Sequence, residues 1–301
     1  MQGDQQRAGI VTGVAAYVLW GLLTVYWKQL HDFRAFELIG WRISGAAVVM
    51  AIVITVRREW SSIGMVFRDR RLALRVAAAS VLLTVNWTGY VWAVVAGHVL
   101  ETALGYFIAP LGTVAVGVIA LHERLRPAQW TAIVLATSSV VVLTVSYGEV
   151  PWLALLIAGS WIAYGVMKKQ VPLAPVESLA SESLLLVVPA ALVALAMSGD
   201  ATSIPHSATA WQFVLVACAG VATVAPLLLF SHAAQRVPLT VIGPMQYIVP
   251  SMNFVIGWAM YGEDMPPSRF LGFALVWIGL VVLTVDSARR ALRTRAAGTA
   301  R

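Results

Sequence analysis

The chain has 301 residues, 59% of them hydrophobic and only 12% charged, with a net charge of +7 and a mean hydropathy of +0.80. Soluble domains carry roughly 25% charge, so this composition excludes an ordinary globule and points to a polytopic α-helical membrane protein, whose backbone is satisfied within each span. Long unbroken apolar runs exclude a barrel, the single Cys218 excludes an internal disulfide or a cysteine metal site, and the clustering of basic residues in certain connections argues against nucleic acid as a partner.

Apolar runs of about twenty residues predict ten spans, taken in order over 9–28, 35–56, 76–96, 101–121, 128–147, 150–168, 178–197, 209–233, 239–260 and 268–286. The N-terminus is polar and short and leads into a span-length segment, so no signal peptide is expected. The first span carries Trp20 and the second Arg42. The third holds Asn86, Trp87 and Trp92, and the fourth Tyr106 and Pro110. Glu182 lies in the seventh, Pro226 in the eighth, and Gln246, Tyr247 and Pro250 in the ninth. Connections are mostly short and carry Gly, Pro or charge, as in His122-Glu123-Arg124 and Gly262-Glu263-Asp264. Residues 287–301 form a basic tail.

Ten spans put both termini on one side. With that side cytoplasmic, the inner segments hold 17 Lys and Arg and the outer ones only Lys28, Arg34 and Arg269. This asymmetry sets the orientation in the cell membrane, and the basic runs at 57–75 and 289–301 read as topology signals touching anionic lipid.

The chain also echoes itself 140 residues apart. Tyr106-Phe107-Ile108-Ala109-Pro110 returns as Gln246-Tyr247-Ile248-Val249-Pro250, Gly117, Glu123 and Pro127 match Gly257, Glu263 and Pro267, and Val141 to Val145 is repeated identically as Val281 to Val285. An ungapped echo means duplication. A five-span unit is odd in number, so the second copy enters from the opposite face. The expected fold is all-α, ten transmembrane helices as two inverted five-helix repeats over 9–147 and 150–286.

These residues resemble the drug/metabolite transporter superfamily, its EamA-type permeases, and within them the RarD permeases named for chloramphenicol sensitivity. The carrying segments are Asn86-Trp87, Trp92-Ala93-Val94, Leu104 to Ile108, Pro110-Leu111, Glu123-Arg124-Leu125, Gln129-Trp130, Pro226-Leu227-Leu228, Gln246-Tyr247-Ile248, Pro250 and Tyr261-Gly262-Glu263. One departure is Ala109, where such permeases commonly carry Asn before the proline. The resemblance implies a ten-helix basket with a central cavity. It also implies transport of small metabolites or drugs by alternating access.

Proline removes a backbone donor and frees a carbonyl one turn back. In lipid that group needs a partner or a wet cavity, so Pro110 and Pro250 read either as broken helices bordering a binding site or as ordinary kinks. Asn86, Tyr106, Gln246 and Tyr247 read as cavity-lining groups or as interhelical glue. Trp20, Trp87 and Trp92 lie deep enough for aromatic walls, whereas Trp60, Trp130, Trp152 and Trp211 fall at span ends as interfacial anchors. Arg42 and Glu182 occupy equivalent positions inside spans and are the candidates for coupling. The other reading has Arg42 reaching outward to the interface and Glu182 pairing near the inner surface. Inverted symmetry sets them at different heights, so a direct pair is not expected.

No His-Glu-x-x-His, Gly-x-Ser-x-Gly or Walker motif occurs. The chain is therefore expected not to be an enzyme, to need no cofactor or metal, and to draw on a gradient. The reading is a secondary-active or facilitative permease for a small organic solute, in contact with membrane lipids. The alternatives are a non-transporting receptor or structural subunit and an intramembrane enzyme. The last needs a nucleophile or metal set at one depth.

Overall fold

The structure is a computed structural model and describes residues 2–121, 126–237 and 245–298. Among the described residues it is all-helical, with no strand. The helices are α1 (Gln2–Lys28), α2 (Ala35–Arg57), α3 (Trp60–Arg68), α4 (Arg70–Ala96), α5 (Val99–Leu121), α6 (Pro127–Tyr147) and α7 (Trp152–Lys168). They continue with α8 (Pro175–Met197), α9 (Ile204–Ser207), α10 (Ala210–Ala234), α11 (Ile248–Val255), a π-helical turn Ile256–Met260, and α12 (Pro267–Gly298). Seven stretches, within α1, α2, α4, α6, α8, α10 and α12, are long and apolar enough to cross a membrane, and Trp152–Lys168 and Ile248–Met260 are shorter apolar helices. The turn expected at His122 to Leu125 and the start of the expected ninth span lie outside the described residues.

Local chemistry explains the ends. Asp69 caps α4 by accepting from the backbone N–H of Arg71 at 2.8 Å and Leu72 at 3.3 Å, and Gly97, with φ of 85°, closes it. Thr209 and Gln212 form a reciprocal box at the start of α10, with bonds of 3.2 and 3.0 Å. Proline opens α6, α8 and α12, where its missing N–H costs nothing.

Three differences from the expected spans have physical reasons. Helices α3 and α9 occupy what reads as connection; α3 is amphipathic and buries Ile63 and Val66. The last helix runs on through the basic tail to Gly298, where Ala, Arg and Leu all favour helix. Pro250 stands in the first turn of α11 instead of mid-helix, and Gln246 and Tyr247 form a turn. Proline at 250 leaves the Gln246 carbonyl without its helical donor. In α5 the helix continues through Pro110.

The most extensive packing joins α2 to α8 and α10, α6 to α12, α1 to α10, α5 to α7 and α4 to α7. Small residues allow it. Gly45 and Gly220 bring the backbones of α2 and α10 into contact, and a Cβ on Gly40 would sit 2.8 Å from the Ala190 carbonyl of α8. The large apolar side chains left exposed, such as Val48, Ile52, Val81, Leu192, Val221 and Ile278, face lipid in a chain of this class.

Candidate solute-binding site

Arg42 projects from α2 into the apolar cluster formed with α1, α4 and α10, where it is only 3% exposed. Its Nε donates to the Thr223 hydroxyl at 3.1 Å, and Thr223 in turn donates to the Ala219 carbonyl at 2.8 Å. Its Cζ lies 4.1 Å from the ring centroid of Trp87 and 5.2 Å from that of Trp27, both within cation–π reach. Nη1 is buried and has no hydrogen-bond partner among the described residues. The Trp27 Nε1 is in the same condition. Arg42 therefore does not reach outward to the interface, because two indole faces hold it inside. Cation–π contacts contribute about 2 kcal/mol when desolvated, less than the several kcal/mol per ion that burial costs. The aromatic shell does not balance the charge.

Beside the guanidinium lie Tyr26, Tyr90 and Tyr106. Each phenol is engaged elsewhere: Tyr26 donates to the Leu215 carbonyl, Tyr106 to Asn86 Oδ1 at 3.0 Å, and Tyr90 bonds the Thr24 hydroxyl at 2.8 Å. Thr24 donates its one proton to Asn253 Oδ1 at 2.7 Å, so the Tyr90 hydroxyl is the donor to Thr24. Asn253 Nδ2 donates to Thr102 at 3.0 Å, and Thr102 to the Val99 carbonyl at 2.7 Å. This fully paired chain ties α1, α4, α11 and α5 together with side chains that are almost completely buried.

Asn86 is buried and saturated. Its Nδ2 donates to the Ile157 carbonyl at 2.9 Å and Ser160 at 3.2 Å, which binds α4 to α7, while its oxygen takes the Tyr106 hydroxyl. Tyr106, partly buried, also meets Tyr90 and Trp161 with ring centroids 6.0 and 6.2 Å away. The structure thus brings Arg42, Trp87, Asn86 and Tyr106 together. Tyr247 stands elsewhere, with Phe107, Ser251, Trp277 and Thr284 along a groove of about 410 Å³, and its neighbour Gln246 is exposed. Trp20 packs its ring 5.3 Å from Tyr17 and 5.7 Å from Phe230. Pro226 and Pro250 are buried and Pro110 is half-buried. Trp92 stacks on His98 at 5.9 Å, close to Trp152.

Glu182 is 1% exposed and paired. Lys168 meets its Oε1 at 2.8 Å, Ser178 donates to the same oxygen at 3.0 Å, and Tyr164 donates to Oε2 at 3.2 Å. Lys168 also contacts Ser178. Glu182 and Arg42 therefore have separate partners.

Trp27, Tyr90, Thr223 and Asn253 were not singled out by sequence. The available signal was polar side chains within apolar runs, for which burial in lipid demands a partner.

The model of the EamA-like transporter family matches residues 7–145 and, a second time, residues 150–285. The chain belongs to the EamA-like transporter family. Its relatives place this EamA-like transporter among the RarD-type permeases. It is 40% identical to Protein RarD of Streptomyces exfoliatus, covering 97% of this chain and 93% of that protein. It is 32% identical to Protein RarD of Escherichia coli, covering 98% and 99%. An uncharacterized transporter of Vibrio cholerae is 36% identical, with 95% of each covered. A solved crystal structure shares the fold, with a TM-score of 0.61 at 18% identity over 94% of this chain and 99% of that one.

Proposed function

We propose that this EamA-like transporter is a secondary-active or facilitative permease that moves a small organic solute across the cytoplasmic membrane by alternating access. In this reading ten spans form two inverted repeats, 9–147 and 150–286, and both termini are cytoplasmic. One observation carries the proposal: the contacts of one half are reciprocated by the other. Advancing each helix by six exchanges the halves. Under that exchange α1 against α10 becomes α7 against α4, α5 against α7 becomes α11 against α1, and α2 against α10 becomes α8 against α4; all six pairs are in contact. The acidic residues reciprocate too. Glu37 of α2 accepts from the Ile204 N–H that opens α9 at 2.8 Å, and Glu177 of α8 accepts from Ser62 of α3 at 2.8 Å. Two halves with interchangeable contacts have two equivalent arrangements, which is what rocking about a fixed midplane site requires. The double match of the family model and the relatives named as transporters support the same reading.

The test begins with untargeted metabolite profiling of cells with and without the protein. Candidate solutes then go to uptake by proteoliposomes. A permease gives saturable, protein-dependent flux that is accelerated by unlabelled solute on the far side. Absence of protein-dependent flux for every profiled solute would leave the receptor or structural-subunit alternative.

A further inference from the structure

We propose that Arg42 is the anion-recognition point of this protein, and that the solute it takes is a small organic carboxylate. The inference rests on the permease reading and names its substrate class. Four observations converge. Arg42 is only 3% exposed, so its charge is not dissipated in water. Among the described residues it forms no ion pair, unlike Lys168, which has Glu182. Its Nε is spent on Thr223, which leaves the terminal end of the fork for an acceptor, with Nη1 standing unpaired. The three neighbouring phenols direct their protons to other acceptors and present no negative charge to it.

A guanidinium held in this way needs an anionic acceptor. A carboxylate offers two oxygens in the plane of the fork and is bound bidentately. A neutral solute supplies hydrogen bonding without the compensating charge. The surroundings define the rest of the solute. Trp87 and Tyr106 are partly buried and pack against the same apolar cluster, which suits a planar or aliphatic body behind the charged group. The buried Trp27 Nε1 is a second donor without an acceptor beside the same cation. Arg42 contacts the solute under this proposal, while Thr223 and Trp87 position it.

The experiment uses the full chain in lipid nanodiscs. Thermal unfolding is followed with millimolar benzoate, benzamide, butyrate, butyramide or inorganic phosphate. The expected result is that benzoate and butyrate raise Tm while their amides do not. R42Q should weaken the response to the acids about tenfold or more. R42K, which keeps the charge without the planar fork, should retain part of it. Amides that raise Tm as far as their acids would overturn the proposal. So would an R42Q protein that answers the acids like wild type, or a response to phosphate without one to either carboxylate. If R42Q does not fold, R42K decides: a wild-type response in R42K removes the fork from recognition. Release of the same solutes from loaded proteoliposomes separates this idea from the permease reading. Acid-specific Tm shifts without protein-dependent release sink the permease and leave the anion site. Equal release of acids and amides keeps the permease and sinks the anion site.

Discussion

The Tyr106 hydroxyl gives its proton to Asn86, whose amide is already committed to the Ile157 carbonyl and Ser160. Removing the hydroxyl leaves Asn86 Oδ1 one donor short, whereas removing the ring also loses its aromatic contacts with Tyr90 and Trp161. Tyr106→Phe is therefore expected to cost about 1 kcal/mol of stability and to keep transport. Tyr106→Ala is expected to lower uptake at least severalfold with insertion unchanged; wild-type uptake in that variant at normal expression would remove Tyr106 from the site. For Glu182→Gln we expect a stability loss on the order of 1–3 kcal/mol, because the partly buried Lys168 loses its ion-pair partner. Accumulation driven by a pH gradient should persist, since a carboxylate held by an ammonium and two hydroxyls is poorly placed to cycle a proton. Abolished accumulation with solute exchange retained would instead make Glu182 the coupling residue. Sequence showed that Arg42 and Glu182 were unusual, because charge inside an apolar run is visible without a fold. It could not show that Arg42 stays inside, because that depends on Trp27 and Thr223, 15 and 181 positions away.

Between elements, Gly45 of α2 and Gly220 of α10 bring backbone against backbone. Gly220→Val places a branched side chain against the Gly45 carbonyl, a position held by main chain that cannot swing aside. We expect destabilisation of about 1–3 kcal/mol, read as a lower Tm and more aggregate in size-exclusion chromatography. A variant as stable and monodisperse as wild type would mean that α2 and α10 do not meet closely in the membrane. The seven span-length apolar helices among the described residues were legible as elements because length and hydropathy are local properties. The short helices were not. Helix α9 has four residues, too few for any periodicity, and it is held by the Glu37 carboxylate from α2. The break at Gln246–Tyr247 and the π-helical turn Ile256–Met260 were also hidden. The turn depends on Gly257 lying against Leu100, with a Cβ there only 3.2 Å from the Leu100 nitrogen, and on Glu263 capping the Val99 and Leu100 N–H groups of α5.

For the whole molecule, the deciding property is the parity of the repeat. Five spans per half, as proposed, would reverse the second copy, whereas an even number would set both copies the same way up and demand rotation about the membrane normal. The connection between the halves, Gly148 to Pro151, tests this directly. It carries Glu149 and no basic residue, while the inner segments as read from sequence hold 17 Lys and Arg against three in the outer ones. Such a bias sets orientation through the cost of translocating positive charge. A reporter active only outside the cytoplasm, fused after Glu149 in a truncated chain, should therefore be active. The same reporter at the C-terminus of the full chain should be silent, and a cytoplasmic fluorescent reporter there should glow. Opposite signals at the two points give an odd span count between them, as inverted halves require. If both fusions report from the same side, the halves are parallel, and the reciprocal contacts of α2 with α8 and α6 with α12 need another explanation. If the C-terminus alone reports from outside, the inverted arrangement survives with its polarity reversed, and Arg42 of α2 moves from the outer to the inner half of the membrane. Solute recognition would then begin from the cytoplasm.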